Sequence, residues 1–223
     1  MITAILFDLD NTLINFLEFK IETAKAAAKA MVANGLPATE VEAYGKIFTV
    51  YDEKGIEYQK TFYEVVKQYG LDIDRAERIQ QAAILAYLQK KFEVLRTYPI
   101  VKPTLSKLKD RFKLGIVTDA PRNKAWQRLI LTGLGDYFDV VITLDDTQTM
   151  KPGPGPFNLA LERLNLRPEE CLFVGDNPDR DIKGAKELGM KTCLAKYGWG
   201  GKRTDVRADR EIARFEDILK VVG

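Results

Sequence analysis

The sequence contains no histidine. This absence excludes catalysis by Ser-His-Asp or Cys-His arrangements, and it excludes zinc sites that use imidazole ligands. The only two cysteines, Cys171 and Cys193, lie in separate apolar segments. They cannot build a structural zinc site by themselves, and a disulfide framework is not expected, which favours a reducing compartment. Any chemistry must therefore use carboxylates, lysine, hydroxyl groups or a hard metal ion.

Long hydrophobic runs are also missing. No apolar stretch approaches the ~18 residues that indicate a membrane span, and the first apolar run ends at Asp8, too early for a signal peptide. The net charge is only +2, with both signs interspersed along the chain. The sequence therefore predicts a cytoplasmic protein without nucleic-acid or membrane partners, and it leaves open whether the protein is a monomer or a homodimer.

Short apolar segments alternate with helical patterns through the second half of the chain, which predicts an α/β fold with a Rossmann-like parallel sheet flanked by helices. The predicted strands span residues 2–7, 114–117, 140–144, 171–174 and 191–195. The predicted helices between them span residues 104–111, 124–132, 156–164 and 180–188. In helix 124–132 the apolar face is predicted to comprise Trp126, Leu129 and Ile130. The tail is expected to add a short strand and a closing helix.

Residues 15–96 contain no comparable strand run. They hold several helical patterns, beginning with the alanine-rich segment IETAKAAAKAMVANG and continuing at 39–49, 58–69 and 76–92. More than 80 residues therefore separate the first two predicted strands, far more than a simple crossover needs. We interpret residues 15–96 as an inserted helical cap, and residues 1–14 plus 97–223 as the α/β core. Hinges are expected near 14–19 and 95–101.

Polar residues follow four of the predicted strands. They are Asp8, Asp10, Thr118, Asp119, Lys151, Asp176 and Asp181. An acidic turn after one strand is commonplace, but ligands of open α/β sheets bind outside the carboxyl ends of the strands. Because these residues should share that edge, together they predict a functional site.

The residue types at this edge indicate phosphoryl chemistry around a metal ion. Crowded carboxylates resist joint ionisation unless a cation joins them, and Mg²⁺ prefers oxygen ligands. Lys151 and Thr118 could stabilise phosphoryl oxygens. An ionised Asp8 could attack phosphorus, and Asp10, two residues further on, could transfer a proton to the leaving oxygen.

These residues resemble the motifs of the haloacid dehalogenase-like (HAD) hydrolase superfamily. The first motif looks like Asp8-Leu9-Asp10-Asn11-Thr12, the second like Thr118, and the third like Lys151 in KPGPGPF. The fourth is the GDxxxxD pattern in GDNPDRD, residues 175–181. The helical insert is similar to the C1-type cap of this superfamily. Two departures are Gly153, where relatives often carry histidine, and Ile100, where they often carry glycine.

The resemblance implies a role for each matching residue. Asp8 would be the nucleophile and a metal ligand, and Asp10 the general acid and base, with its backbone carbonyl on the metal. Asp176 would bind Mg²⁺. The phosphate would be held by Thr118, Asp119 and Lys151. Supporting positions would be Asp181, Asn177 and Thr12.

The function that follows is a Mg²⁺-dependent phosphatase acting on a small phosphorylated metabolite through an aspartyl-phosphate intermediate. Asp10 favours this over dehalogenation, because a halide leaving group needs no acid. The chain is similar to archaeal-type glyceraldehyde-3-phosphate phosphatases and to phosphoglycolate phosphatases. A phosphomutase, or a non-catalytic phosphate-binding or regulatory module, remains an alternative.

Substrate choice is expected to depend on the cap and its hinge. The candidate residues there are Asn15, Phe16, Lys54, Tyr58 and Lys60. Asp119, Arg122 and Asn123 follow Thr118 closely and could line the mouth of the site, whereas Trp199 is expected to pack beside a loop.

Overall fold

The computed structural model describes residues 1–201 and 203–223. The described chain divides into two compact units. One unit comprises Met1–Phe16 together with Arg96–Gly223, and the other comprises Leu17–Leu95.

The first unit is built on a parallel sheet. Its strands are β1 (Ala4–Phe7), β2 (Lys113–Val117), β3 (Val140–Ile142), β4 (Cys171–Gly175), β5 (Lys191–Ala195) and β6 (Arg210–Ile212). They are ordered β3-β2-β1-β4-β5-β6, and every neighbouring pair is parallel. The predicted α/β class with a parallel sheet is therefore confirmed, and the strand in the tail is β6.

Helices connect these strands. They are α5 (Val101–Lys109), α6 (Arg122–Leu131), α7 (Leu144–Thr147), α8 (Pro154–Leu164), α9 (Lys183–Glu187) and α10 (Ile218–Val221). A π-helical turn, Pro178–Ile182, precedes α9, and 3₁₀ turns occupy Pro168–Glu170 and Phe215–Asp217. The central strands β1 and β4 are fully buried along their length, as expected for parallel strands covered on both faces.

Two details of the sequence prediction are wrong. The third strand ends at Ile142, because Thr143 caps α7: its backbone N–H and its hydroxyl both donate to the Asp146 carboxylate. The buried face of α6 comprises Ala125, Arg128 and Leu129.

Trp126 and Ile130, which were assigned to that face, are 39% and 69% exposed. Positions three and four residues apart share a helix face, so burial of Ala125 and Leu129 brings Arg128 inward and turns Ile130 outward.

The second unit is entirely helical in its regular structure. Its helices are α1, which begins in the first unit (Phe16–Ala33), α2 (Glu40–Lys54), α3 (Thr61–Lys67) and α4 (Ile73–Val94). Thr39 and Glu42 form a capping box that starts α2. The unit has its own hydrophobic core, which includes Met31, Ile47, Val65 and Ile79. Its action as a cap remains a prediction.

Among the described residues, 1–201 and 203–223, no helix is both long enough and apolar enough to cross a bilayer.

Ile100 adopts a left-handed backbone conformation, with φ of 63°, immediately before α5, and its side chain is 54% exposed. A β-branched residue is strained there, at a cost of roughly 1–2 kcal/mol. We expect Ile100→Gly to raise the free energy of unfolding by about 1 kcal/mol, once the greater entropy of the unfolded glycine is subtracted. Chemical denaturation of both proteins measures the difference.

A matched control is Ile130→Gly, which removes another exposed isoleucine, this time from within α6. Here glycine should destabilise by about 0.5–1 kcal/mol, since helix propensity alone is changed. Destabilisation of similar size at both positions would contradict the assignment of strain to Ile100.

Candidate active site at the carboxyl edge of the sheet

Three neighbouring strands deliver polar side chains to one edge of the sheet. Asp8 follows β1, Thr118 follows β2, and Asp176 follows β4. Because β1 lies between β2 and β4, the three residues emerge side by side, and all three are buried.

Asp8, Asp176 and Asp181 form an acidic cluster. Each contributes a carboxylate oxygen, and these oxygens all lie within 4.8 Å of one another. Burial, followed by repulsion from neighbouring acids, raises the pKa of Asp8 to about 7, although Lys151 opposes the shift. Burial and repulsion from Asp8 and Asp181 raise the pKa of Asp176 to about 9.

A hard cation fits this cluster. Buried carboxylates that repel one another bind protons more tightly than exposed ones, and a divalent ion can replace those protons. The donor set consists of carboxylate oxygens, which Mg²⁺ and Ca²⁺ prefer. The acidic cluster could therefore hold a metal ion.

Gly175, the last residue of β4, lets Asp181 approach the cluster. A β-carbon on Gly175 would lie 2.5 Å from side-chain atoms of Asp181, including Oδ2. Asp181 Oδ2 also accepts a hydrogen bond of 3.0 Å from the backbone N–H of Asn177. The glycine of the GDxxxxD motif thus makes room for the second aspartate of that motif.

Lys151 supplies a buried cation to the cluster. Its Nζ lies 2.6 Å from Asp8 Oδ1 and 2.7 Å from Asp181 Oδ1, and it donates to the carbonyl of Val117 at 3.0 Å. Burial acts to lower the pKa of Lys151, but attraction from Asp181 and Asp8 outweighs burial and raises the pKa above its ordinary value. The lysine therefore stays charged beside Asp8.

Asp119 fixes the segment that carries Lys151. Its Oδ1 accepts a 2.9 Å hydrogen bond from the backbone N–H of Lys151, and its Oδ2 accepts a 3.3 Å bond from Arg180. The neighbouring Thr118 Oγ1 accepts from the N–H of Ala120 at 3.2 Å. The Asp119 carboxylate is thus engaged in holding the loop, and only its backbone amide suits the predicted contact to phosphate.

Gly153 lies in a tight turn. A β-carbon there would lie 2.9 Å from the carbonyl oxygen of Met150 and 2.8 Å from a methyl group of Thr149. The turn that carries Lys151 is therefore too tight for a side chain at Gly153.

Asp10 occupies a different electrostatic environment from Asp8. Its Oδ2 lies 2.5 Å from Nη1 of Arg128, a residue of α6 that is almost completely buried. The carboxylate of Asp10 does not belong to the acidic cluster that the described residues form. A metal contact from Asp10 would thus come through its backbone carbonyl, as the resemblance implies.

The loop after Asp10 is held by the segment 197–198. The Tyr197 hydroxyl donates a 2.7 Å hydrogen bond to the carbonyl of Thr12, and the Thr12 hydroxyl donates to Asp8 Oδ2 at 3.4 Å. A β-carbon on Gly198 would lie 1.7 Å from the carbonyl oxygen of Asn11. The close approach of these two loops fixes the residues between Asp8 and Thr12.

Asn177 has a structural role in the described geometry. Its Oδ1 accepts hydrogen bonds from the backbone N–H groups of Asp179 and Arg180. It thereby caps the turn that carries Asp181.

The residues that were suggested to govern substrate choice fall into two groups. In the helical unit, Lys54 Nζ lies 2.8 Å from the Glu64 carboxylate. The Tyr58 hydroxyl donates a 3.0 Å hydrogen bond to the same carboxylate. Lys60 is exposed and directly precedes α3. In the core unit, the ring of Phe16 lies under the guanidinium of Arg128.

The backbone N–H of Asn15 donates to the carbonyl of Arg96. Arg122 pairs with Asp146 at 2.8 Å, and Asn123 lies in α6. The backbone N–H of Trp199 donates to the carbonyl of Lys196. These contacts leave the contribution of each residue to substrate choice as a prediction.

Sequence reasoning missed Arg128. A lone arginine between Gln127 and Leu129 in a helical segment is ordinarily a solvated side chain. Only the helix phase set by Ala125 and Leu129 could have indicated that Arg128 faces inward.

The fold and the site define a class of protein: an α/β enzyme with a lysine-bridged acidic cluster at the carboxyl edge of a parallel sheet. A family model described as haloacid dehalogenase-like hydrolase matches residues 5–195. The chain belongs to this family.

Several relatives match along nearly their entire length. The chain is 37% identical over 224 residues to a glyceraldehyde 3-phosphate phosphatase from Methanocaldococcus jannaschii and 35% identical over 229 residues to one from Methanopyrus kandleri. Each match covers 100% of this chain and 97% of the relative.

A solved structure described as a HAD phosphatase from Thermococcus onnurineus is 31% identical, with a TM-score of 0.75, and the match covers 100% of this chain and 98% of that one. These similarities identify the chain as a phosphatase.

Proposed function

We propose that this protein hydrolyses a small phosphate monoester through an aspartyl-phosphate intermediate, with Mg²⁺ as its cofactor. The observation that carries the proposal is the 2.6 Å contact between Asp8 and the buried Lys151 within the acidic cluster. A carboxylate beside a fixed cation that favours its ionised form, at the edge where ligands bind, is suited to attack phosphorus.

In the first step, a carboxylate oxygen of Asp8 forms a bond to phosphorus as the bond to the ester oxygen breaks. Asp10 donates a proton to the departing alkoxide, which leaves as an alcohol. In the second step, a water molecule attacks phosphorus and transfers its proton to Asp10. The acyl phosphate bond breaks, so that inorganic phosphate leaves and the Asp8 carboxylate is restored.

The metal would be held by Asp8 and Asp176 through their side chains and by Asp10 through its backbone carbonyl. Asp181 would support this set, since it belongs to the same cluster and pairs with Lys151. When bound, Mg²⁺ would neutralise the crowded acids and the charge of the phosphoryl oxygens. Fixed donors that face developing charge stabilise a transition state, and Lys151, Thr118 and the amide of Asp119 would serve this purpose for the phosphoryl group.

Similarity over the full length to glyceraldehyde 3-phosphate phosphatases supports glyceraldehyde 3-phosphate as the first substrate to test. Phosphoglycolate, another small phosphate ester, is the second. The helical unit 17–95 would act as the cap that closes over the substrate and limits access of water. We further propose that the enzyme is cytoplasmic and acts without nucleic-acid or membrane partners, in keeping with its small net charge.

The test is a phosphate-release assay over sugar phosphates, phosphoglycolate, glyceraldehyde 3-phosphate, nucleotides and an aryl phosphate. We expect turnover in the presence of Mg²⁺, loss of turnover with a chelator, and recovery when Mg²⁺ is restored. Activity that persists after complete chelation would refute the metal dependence. Phosphate transfer to a second sugar without release would identify a mutase instead.

A further inference from the structure

Arg128 is a buried cation that the reaction scheme above does not use. Its side chain is 4% exposed, it occupies the inward face of α6 beside Ala125 and Leu129, and its guanidinium contacts the carboxylate of Asp10 at 2.5 Å. A buried charge is costly unless it is paired, and an apolar residue would satisfy packing at this helix position. The arginine therefore needs an explanation beyond the stability of α6.

The two aspartates of the first motif are paired with different cations. Asp8 contacts Lys151, which follows β3 along the chain, whereas Asp10 contacts Arg128 from α6. These cations approach from separate elements, so each fixes one carboxylate independently. Lys151 binds the oxygen of the group proposed to attack, and Arg128 binds the group proposed to carry the proton.

The Arg128 guanidinium is itself held in place. It lies 4.2 Å from the centroid of the Phe16 ring, a distance at which a cation is attracted to the face of an aromatic ring. Phe16 is the first residue of α1. The guanidinium is thus held by both the Phe16 ring and Asp10, and a planar donor restricts the orientation of its carboxylate partner more than an ammonium would.

We propose that Arg128 is a positioning residue that orients the carboxyl group of Asp10 for proton transfer to the leaving group. The proposal rests on the phosphatase function described above. General acid catalysis contributes about 10²–10⁴-fold to such reactions, and the contribution depends on geometry. Misorienting the acid should therefore matter most when the leaving group is a poor one.

The test compares two substrates of similar shape, phenyl phosphate and p-nitrophenyl phosphate, whose leaving groups differ in their need for a proton. In Arg128→Met the side chain keeps an unbranched apolar stem but loses the guanidinium and its contact to Asp10. We expect kcat/KM for phenyl phosphate to fall about 10–100-fold and that for p-nitrophenyl phosphate to fall less than about 5-fold. Asp10→Asn should show the same selectivity, and the double variant should show little further loss.

Two further variants sharpen the comparison. Arg128→Lys keeps the charge but loses the planar fork, so its ratio of kcat/KM values should lie between those of the wild type and Arg128→Met. Arg163→Met is the matched control, because it removes a 3.1 Å contact between another arginine and Asp146, an aspartate whose side chain is 2% exposed. It should leave the ratio unchanged.

Equal losses on both substrates would show a merely structural role and overturn the proposal, as would unchanged or increased activity in Arg128→Met. If Arg128→Met does not fold, Arg128→Lys carries the test, and an unchanged ratio in that variant overturns it. A wild-type enzyme inactive on both aryl esters and on every phosphate ester of the panel above would refute the proposed function, and with it the role assigned to Arg128. That result is distinct from an active wild type whose variants lack selectivity.

Discussion

Replacing Asp8 by asparagine is expected to reduce Mg²⁺-dependent phosphate release by at least about 10⁴-fold, since removal of a nucleophile from an enzyme that forms a covalent intermediate has effects of this size. The amide is nearly the same shape as the carboxylate, but it is a poor nucleophile and lacks the charge that pairs with Lys151. The measurement is kcat/KM under saturating Mg²⁺, with purified variant and wild type compared on the same phosphate ester.

Asp110→Asn provides the matched control, because it makes the same chemical change at an exposed aspartate that follows α5. It should retain full activity. Trapping experiments should also recover a phosphorylated wild-type chain and no phosphorylated Asp8→Asn chain. Substantial turnover by Asp8→Asn would eliminate the covalent mechanism, even if the protein proved to be a phosphatase by another route.

The sequence predicted the elements of the core because their signals are local. Apolar segments such as those of β1 and β4 have few alternatives to a buried strand. The carboxyl ends of parallel strands necessarily share an edge, so the sequence alone predicts that Asp8, Thr118 and Asp176 lie together. The order of the strands supplied what the sequence pattern did not contain, namely that β1 lies between β2 and β4.

The close approach of Asp181 to the acidic cluster was harder to predict. The metal set predicted from the sequence was Asp8, Asp176 and the backbone carbonyl of Asp10, with Asp181 in a supporting role, whereas the clustered carboxylates are those of Asp8, Asp176 and Asp181. The difference arises from the π-helical turn at Pro178–Ile182, which brings Asp181 back over Gly175. Such a turn has no periodic signature in the sequence.

Arg128 shows a second kind of limit. Its pairing with Asp10 joins residues separated by 118 positions. The sequence around either residue does not indicate the contact. Long-range ion pairs depend on helix phase and on packing, and a shift of one residue in the assumed helix face is enough to lose them. The predicted face of α6 contains this error, because it includes Trp126 and Ile130, which are exposed.

In the metal-free protein, the free energy of unfolding is expected to fall as the pH rises from about 5 to about 9. The folded-state pKa values of Asp8 and Asp176, about 7 and about 9, lie above the ordinary value of 3.8. Within this interval the folded chain retains protons that the unfolded chain has released, so the free energy of unfolding falls with increasing pH. Each unit of pH over which one group is displaced corresponds to about 1.4 kcal/mol, and the two groups together are displaced over roughly six such units in this interval, so the expected fall is several kcal/mol.

Other titrating groups act outside this interval. The lowered pKa values of Asp146, Asp209 and Asp217 affect stability at more acidic pH. The raised pKa of Lys151 contributes stability below its ordinary value of 10.5, which is lost only at more alkaline pH. The two acids of the cluster should therefore dominate the slope.

Thermal denaturation in a chelator and in Mg²⁺ measures the effect. Because Mg²⁺ competes with protons for the same carboxylates, its stabilising effect should grow with pH and be smallest near pH ~5. Asp176→Asn, which removes one titrating ligand, should flatten the slope in the chelator and abolish most of the stabilisation by Mg²⁺. Identical curves with and without Mg²⁺ at high pH would show that the cluster does not bind the ion, since a ligand that binds only the folded state must raise its stability.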